Sequence, residues 1–260
     1  MKTEQPATIL NASQKAQENE AVIEINNLNK SFGQQEVLKD ISLKLFKGEN
    51  LVVLGKSGSG KSVLIQCIVR LLNLNGGRIN VLGKDVSTLN SNDLGELRKK
   101  VGFLFQSGAL YDSMSVKQNL EFPLRRVKKN LTQKEIDAKV NEVLENVGLS
   151  DAIDKMPSQL SGGMRKRISL ARTIILDPLI MLYDEPTTGL DPVTSSEIST
   201  LINDVQKKYK TSSIIITHDI ECARTNANRV IMLMDGLVYK EGNLEEFEKS
   251  TDPLIKSFFK

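Results

Sequence analysis

The stretch Gly55-Lys56-Ser57-Gly58-Ser59-Gly60-Lys61-Ser62 reads G-x-x-x-x-G-K-S, the pattern of a phosphate-binding loop. Before it, Glu49-Asn50-Leu51-Val52-Val53-Leu54 is a short apolar run that predicts a buried strand. After it, Val63-Leu64-Ile65-Gln66-Cys67-Ile68-Val69-Arg70 has the apolar spacing of a helix. Strand, glycine loop and helix are the context this motif requires. The residue types follow from chemistry. A triphosphate needs many donors in a small concave space. Glycines let the backbone wrap close, so that successive N–H groups point inward. The helix that follows adds its N-terminal N–H groups and the positive end of its dipole. In that reading Lys61 neutralises β- and γ-phosphate charge, and the Ser62 hydroxyl is a ligand for Mg²⁺.

At 260 residues the chain is long enough for one large α/β domain, or a core with an added lobe. A formal net charge of +3 is too mild to argue for nucleic acid. Two cysteines, Cys67 and Cys222, form no metal or redox spacing and read as buried free thiols. No apolar run approaches the ~18 residues of a membrane span, and the N-terminus has no apolar stretch of the signal-peptide kind. The expectation is a soluble, cytosolic chain that something else must hold if it works at a membrane.

In chain order, residues 1–20 are polar and predict a disordered tail. Val22-Ile23-Glu24-Ile25 and Ile41-Ser42-Leu43-Lys44-Leu45 alternate, as half-exposed antiparallel strands do. Between them Phe32 sits beside Gly33, either as a core anchor under the turn or as a face on which a nucleotide base stacks. Arg78 to Gly83 predicts a strand, Asn92 to Lys100 a short helix, and Val101 to Phe105 a strand ending at Gln106. From about Ser115 to Leu149 the chain turns helical and charged. Thr132-Gln133-Lys134-Glu135 is a capping-box pattern, and Ile136, Val140, Val143, Leu144 and Val147 give one apolar face before Gly148. This block breaks the strand–helix alternation and reads as an inserted helical lobe. Its basic cluster, Arg125, Arg126, Lys128 and Lys129, is a solvated surface or a contact for a partner or lipid headgroup.

Leu160-Ser161-Gly162-Gly163 places two glycines at a helix start, where glycine is a poor helix former. Ser161 either caps the helix or joins the glycine N–H groups in an anion site. Leu179 to Tyr183 is a buried strand that ends in Asp184-Glu185. Acids at the exit of a parallel strand stand where open α/β sheets keep their ligands. Asp184 can share a Mg²⁺ with Ser62, or simply cap a helix, and Glu185 is then placed to orient or deprotonate a water. Asp191-Pro192 opens a further helix. Ser212 to Thr217 is a buried strand ending at His218, the chain's sole histidine. Val230 to Met234 and Leu237 to Tyr239, split by Asp235-Gly236, predict a hairpin.

Taken together, Gly55 to Ser62, Gln106, Leu160 to Gly163, Asp184-Glu185, Asp191 and His218 resemble, in order and spacing, the ATP-binding cassette (ABC) ATPases over residues 22 to about 245. The resemblance implies an α/β P-loop NTPase (RecA-like) core with an antiparallel β subdomain and an inserted α-helical subdomain at about 107–165. It implies a cassette domain over 21–245, followed by a C-terminal helical tail at 246–260. It also implies ATP and Mg²⁺ as cofactors. Phe32 would stack on adenine, and Gly55, Lys56, Ser57, Gly58, Ser59, Gly60, Lys61, Ser62 and Val63 would cradle the nucleotide. Ser62, Asp184 and Gln106 would serve the metal. Glu185 would be the catalytic carboxylate, with His218, Gln106 and Lys61 acting on the γ-phosphate, the metal or the water. Ser161, Gly162 and Gly163 would bind the ATP held by a second copy, in a head-to-tail dimer with Asp191 at its interface.

Phe105 to Val116, Phe122-Pro123-Leu124 and Gly163-Met164-Arg165-Lys166-Arg167 are similar to the ATPase of Mla-type phospholipid transporters, whose systems include MCE lipid-binding proteins. That similarity implies an integral membrane permease partner and a peripheral place on the cytoplasmic face of a bacterial inner membrane. An importer of polar amino acids or other small solutes is the alternative within the family. A cassette acting on nucleic acid or ribosomes is a remote one, because the chain has one cassette, a short lobe and near-neutral charge.

Overall fold

The computed structural model describes residues 20–259; the tail predicted over residues 1–20 lies, Glu20 excepted, outside the described residues. The molecule is built on a six-stranded sheet in the order β10-β9-β3-β8-β7-β6. Its strands are β3 (Asn50–Leu54), β6 (Val101–Leu104), β7 (Ile180–Asp184), β8 (Ser212–Thr217), β9 (Arg229–Met234) and β10 (Leu237–Gly242). The first five run parallel, and β10 closes the edge as the antiparallel arm of a hairpin with β9. A second, antiparallel sheet has the order β2-β1-β4-β5, from β1 (Ala21–Phe32), β2 (Gln35–Phe46), β4 (Gly76–Val81) and β5 (Lys84–Asp85).

The central strands are buried along their length, as strands covered on both faces must be. With a period of two, their side chains divide between two cores. Leu51, Val53, Ile180, Leu182, Ile214 and Ile216 face the antiparallel sheet and helix α1 (Lys61–Ile68). Val52, Leu54, Met181, Tyr183 and Ile215 face the other way, onto a helical core. Each such Leu, Ile or Val contributes about 1.5–3 kcal/mol by leaving water.

The helical core is supplied chiefly by the block between β6 and β7. Helices α3 (Val116–Val127), α4 (Gln133–Asn146) and α5 (Gly162–Ile174) follow α2 (Ser91–Arg98) in the chain. Leu120 and Leu124 of α3, Ile136, Val140 and Val143 of α4, and Ile168 and Ala171 of α5 are all buried in it. Thr132 and Glu135 form the reciprocal capping box that the sequence predicts, and Ser115 and Gln118 form another at the start of α3. Gly148 stands at φ 66° just past α4. Of the basic cluster, Arg125 binds Glu121, and Lys128 donates to Asp177 at 3.0 Å, so these two bind the block to itself.

Strand β1 is longer than its alternation suggests. Asn27 takes φ 50°, and the pairing with β2 slips between Ile25 and Leu28. A bulge of this kind breaks the period-two signal without ending the strand. Beyond β10, α8 (Leu244–Glu248) and α9 (Pro253–Lys256) fold back on the body, after α6 (Pro192–Tyr209) and α7 (Ile220–Asn226) have covered the sheet. Phe247 and Ile255 are buried there, and the Tyr239 hydroxyl donates to Asp252 at 2.6 Å.

Candidate functional site

Four parallel strands end at one rim, and each delivers a polar residue to it. β3 leads into the glycine loop, β6 into Gln106, β7 into Asp184 and Glu185, and β8 into His218. A cavity of about 710 Å³ opens at this rim, lined by Lys56, Ser57, Gly58, Gly60, Lys61, Ser62, Val63, Gln106, Glu185 and His218. Gly55, Ser59 and Asp184, also expected at the site, are not among its lining residues. A Cβ on Gly55 would meet Leu233 O at 2.5 Å, and one on Gly60 would meet the Leu38 side chain at 2.7 Å, with Gly60 at φ 100°. The loop's shape therefore needs glycine at both positions.

Lys61 heads α1 and is buried. Its ammonium donates to Gly55 O at 2.7 Å and Lys56 O at 3.0 Å and lies 3.4 Å from Glu185 Oε1. The other carboxylate oxygen, Oε2, is 2.8 Å from His218 Nδ1 and accepts from the Thr188 hydroxyl at 3.2 Å. Glu185 reaches this position from φ 47°, a left-handed conformation rare for glutamate. Its N–H still donates to Ile216 O at 3.0 Å, which fixes the turn to β8. With Nδ1 oriented on Glu185, the other ring nitrogen of His218 is left for a ligand, on a ring that is 58% exposed.

The Ser62 hydroxyl donates to Asp184 Oδ1 at 2.9 Å. Burial pushes the Asp184 carboxyl up from its ordinary value; the Ser62 hydrogen bond opposes this, and the Glu185 charge adds to it. A buried acid with a hydroxyl alongside is a two-oxygen donor set whose charge a hard cation offsets. Among the described residues there is no cluster of three or more histidines, cysteines or acids to hold a metal. The Ser62–Asp184 pair suits Mg²⁺ by its own chemistry, since that ion is bound through one or two protein oxygens together with substrate phosphates. The buried Ser59 hydroxyl has no hydrogen-bond partner among the described residues and lies beside Gly55 in the loop.

The remaining expected residues lie elsewhere. Phe32 is 47% exposed at the end of β1, with the Lys30 ammonium 4.8 Å from its ring centre, and it is not among the cavity-lining residues. Ser161 caps α5, its hydroxyl accepting from Met164 N at 3.2 Å. Gly162 and Gly163 form the first turn, where a Cβ on Gly163 would strike Thr194 of α6 at 2.5 Å. Asp191 caps α6 by accepting from Val193 N and Thr194 N at 3.1 and 3.0 Å. None of Ser161, Gly162, Gly163 and Asp191 lines the cavity. Three wall residues were missed in the sequence: Val37 of β2, and Ser257 and Phe258 just past α9. Val37 sits in a half-polar strand, and Phe258 lies about 200 residues from the loop, so no local pattern carries either. Lys166 was missed too. It is buried, donates to Gln106 O at 2.6 Å, and has its pKa pushed down by burial against the pull of Asp184 and Glu185.

The family model described as "ABC transporter" matches residues 38–188. The chain is 41% identical over 236 residues to the probable ribonucleotide transport ATP-binding protein mkl of Mycobacterium tuberculosis, covering 91% of this chain and 66% of that protein. It therefore spans about two thirds of the length of that relative. It is 39% identical to the methionine import ATP-binding protein MetN of Clostridium acetobutylicum, over 86% of this chain and 69% of that one. It is 36% identical to the chloroplastic protein TRIGALACTOSYLDIACYLGLYCEROL 3 of Arabidopsis thaliana, over 93% and 74%. Among solved structures, the dimeric ATP-binding cassette MJ0796 in a post-hydrolysis state with ADP and Pi superposes with a TM-score of 0.78 at 30% identity, over 85% of this chain and 98% of that one. The cassette cbiO1 of Clostridium perfringens, part of the ABC transporter complex cbiONQ, superposes with a TM-score of 0.82 at 30% identity, over 93% and 96%.

Proposed function

We propose a lipid-transport role for this chain, which belongs to the ABC transporter family and is an ATPase of that family. The observation that carries the catalytic reading is the row Lys61–Glu185–His218, with contacts of 3.4 and 2.8 Å, at the mouth of the glycine cradle and beside the Ser62–Asp184 pair. Transfer of a γ-phosphoryl group to water needs positioning and charge stabilisation more than covalent chemistry. Lys61 and the loop N–H groups hold the β- and γ-phosphates. Glu185 orients the attacking water and accepts its proton. His218, fixed through Nδ1 by Glu185, presents its other ring nitrogen to the γ-phosphate. Ser62 and Asp184 would hold Mg²⁺, which when bound neutralises phosphate charge. In a second copy, Ser161, Gly162 and Gly163 close over the γ-phosphate and Asp191 lies at the interface. That assignment accounts for four site residues that stand outside their own protomer's cavity.

No helix among the described residues is long and apolar enough to cross a membrane. In this reading coupling to transport runs through a membrane permease, with the chain on the cytoplasmic face of the bacterial inner membrane; the similarity to cbiO1, part of the ABC transporter complex cbiONQ, supports a permease partner. For the cargo, the Phe105–Val116 and Gly163–Arg167 patterns favour phospholipid, and the Arabidopsis relative is named for a glycolipid. An MCE-type lipid-binding protein is the further partner that this reading brings. A polar solute is the second reading, favoured by the names of the mycobacterial and clostridial relatives. Purification of the native complex in detergent separates them. Co-purified phospholipid that also stimulates MgATP hydrolysis supports the lipid reading, whereas stimulation by methionine or a ribonucleotide with no effect of lipid refutes it.

A further inference from the structure

One face of α5 holds the backbone of the loop that follows β6. Lys166, Ser169 and Arg172 are spaced three apart, so they form a single stripe on the helix. Lys166 Nζ donates to Gln106 O at 2.6 Å, and Arg172 donates to Ala109 O at 2.8 Å. Between them Ser169 lies so close to Gly108 that a Cβ there would meet its hydroxyl oxygen at 2.6 Å. The loop needs holding, because Gly108 and Ala109 stand at φ 80° and 50° in succession. Lys166 is buried, 6% exposed, and its bond to Gln106 is charge-assisted.

Gln106 lines its own protomer's cavity, whereas Ser161, one turn and a half up the same helix, caps α5 outside it. The helix is a stiff rod of about 1.5 Å per residue. We propose that Lys166 is a positioning residue: it fixes Gln106 toward the nucleotide and ties the Gln106 loop to the helix that carries Ser161. A shift of Gln106 in one site is thereby passed to the residue offered to the other copy's site. This inference rests on the ATPase reading above.

The test uses the full chain and three variants. Lys166→Met keeps the length of the side chain and removes the donor; Lys166→Arg keeps the donor; Arg172→Gln removes the more exposed outer bond. MgATP hydrolysis is measured with binding of a fluorescent ATP analogue and a thermal melt. Lys166→Met is expected to lower kcat about tenfold or more with KM changed less than about threefold, and Lys166→Arg to recover most of the loss. In a Glu185→Gln background, Lys166→Met is also expected to weaken the ATP-dependent dimer. An unchanged kcat, a KM that rises in step with the fall in kcat, or an arginine variant as poor as the methionine one overturns the assignment. If Lys166→Met does not fold, Arg172→Gln decides: a kcat lowered about threefold at constant KM supports the clamp, and an unchanged kcat overturns it. Hydrolysis by the unsubstituted chain in the same assay separates failure of this inference from failure of the ATPase reading.

Discussion

Replacing Lys61 by Met removes the one ammonium that three oxygens share. The methionine leaves Gly55 O and Lys56 O without that donor and Glu185 Oε1 without its cation, in a place where the Lys61 and Glu185 side chains are 5% and 11% exposed. Breaking one side of a buried ion pair costs about 3–5 kcal/mol, because the surviving charge stays desolvated. The lower end applies here, since Glu185 Oε2 keeps His218 and Thr188. We expect a loss of about 3 kcal/mol, or a fall in Tm of about 6–12 °C for a chain of this size. Adding Glu185→Gln removes the stranded charge and should restore about 2 kcal/mol, the coupling expected of residues in contact. Urea denaturation followed by circular dichroism, without nucleotide, measures both. A Lys61→Met chain within about 1 kcal/mol of the parent, or a double variant no more stable than the single, refutes the reasoning. Independently of stability, Lys61→Met should abolish MgATP hydrolysis.

Phe258 lines the cavity and Phe32 does not, so Phe258→Ala is expected to raise KM for ATP with less effect on kcat, by up to the ~1–3 kcal/mol of an aromatic platform; comparison with Phe32→Ala shows which ring the base meets, and an unchanged KM in Phe258→Ala removes that residue from the site. Burial acts to raise the Asp177 carboxyl, but hydrogen bonds from Lys139 and Lys128 prevail and hold it below 3.8. Its contribution is thus present above that value and lost as pH falls through the lowered one. With Asp177 45% exposed, screening limits the effect to about 0.5–1 kcal/mol, and Asp177→Asn should flatten the stability–pH curve below about pH 4; an identical acid limb in the variant contradicts it. Burial pushes the Cys67 and Cys222 thiols up to about 11 and about 12, so neither should react with a thiol reagent at pH 8 until the chain unfolds; rapid labelling of the native chain is the contrary result.

The core of the site was legible because each part is local. A glycine loop between an apolar strand and a helix, an Asp-Glu pair ending a strand, and a lone histidine ending another are all read within a few residues. The parallel sheet then gathers the strand ends at one rim, which is why Lys61, Glu185 and His218 meet although 157 positions separate the first from the last. At Ser161 and Asp184 the structure adds contacts that no spacing shows: Ser161 caps its helix, and Ser62 donates to Asp184. What stayed hidden depends on long-range packing. Phe258 reaches the cavity only because α8 and α9 double back over the body. Lys166 stands in a basic run, Arg165-Lys166-Arg167, where nothing local sets it apart; the helical period turns it inward, while Arg167 pairs with Glu197. The bulge at Asn27 hid half of β1 for a similar reason, a backbone irregularity with no composition of its own.

The central claim is that Glu185 activates the water in a site that a second copy completes. Glu185→Gln tests it most directly. The variant keeps Ser62 and Asp184 for the metal and the glycine loop for the phosphates, but loses the group that takes the water's proton, at a cost of roughly 10²–10⁴-fold in rate. Size-exclusion chromatography with light scattering, with and without MgATP, should show the mass of two chains only when MgATP is present, alone or with the membrane partner. A Glu185→Gln chain that binds ATP yet remains monomeric in both settings, or that hydrolyses ATP at the parent rate, contradicts the account.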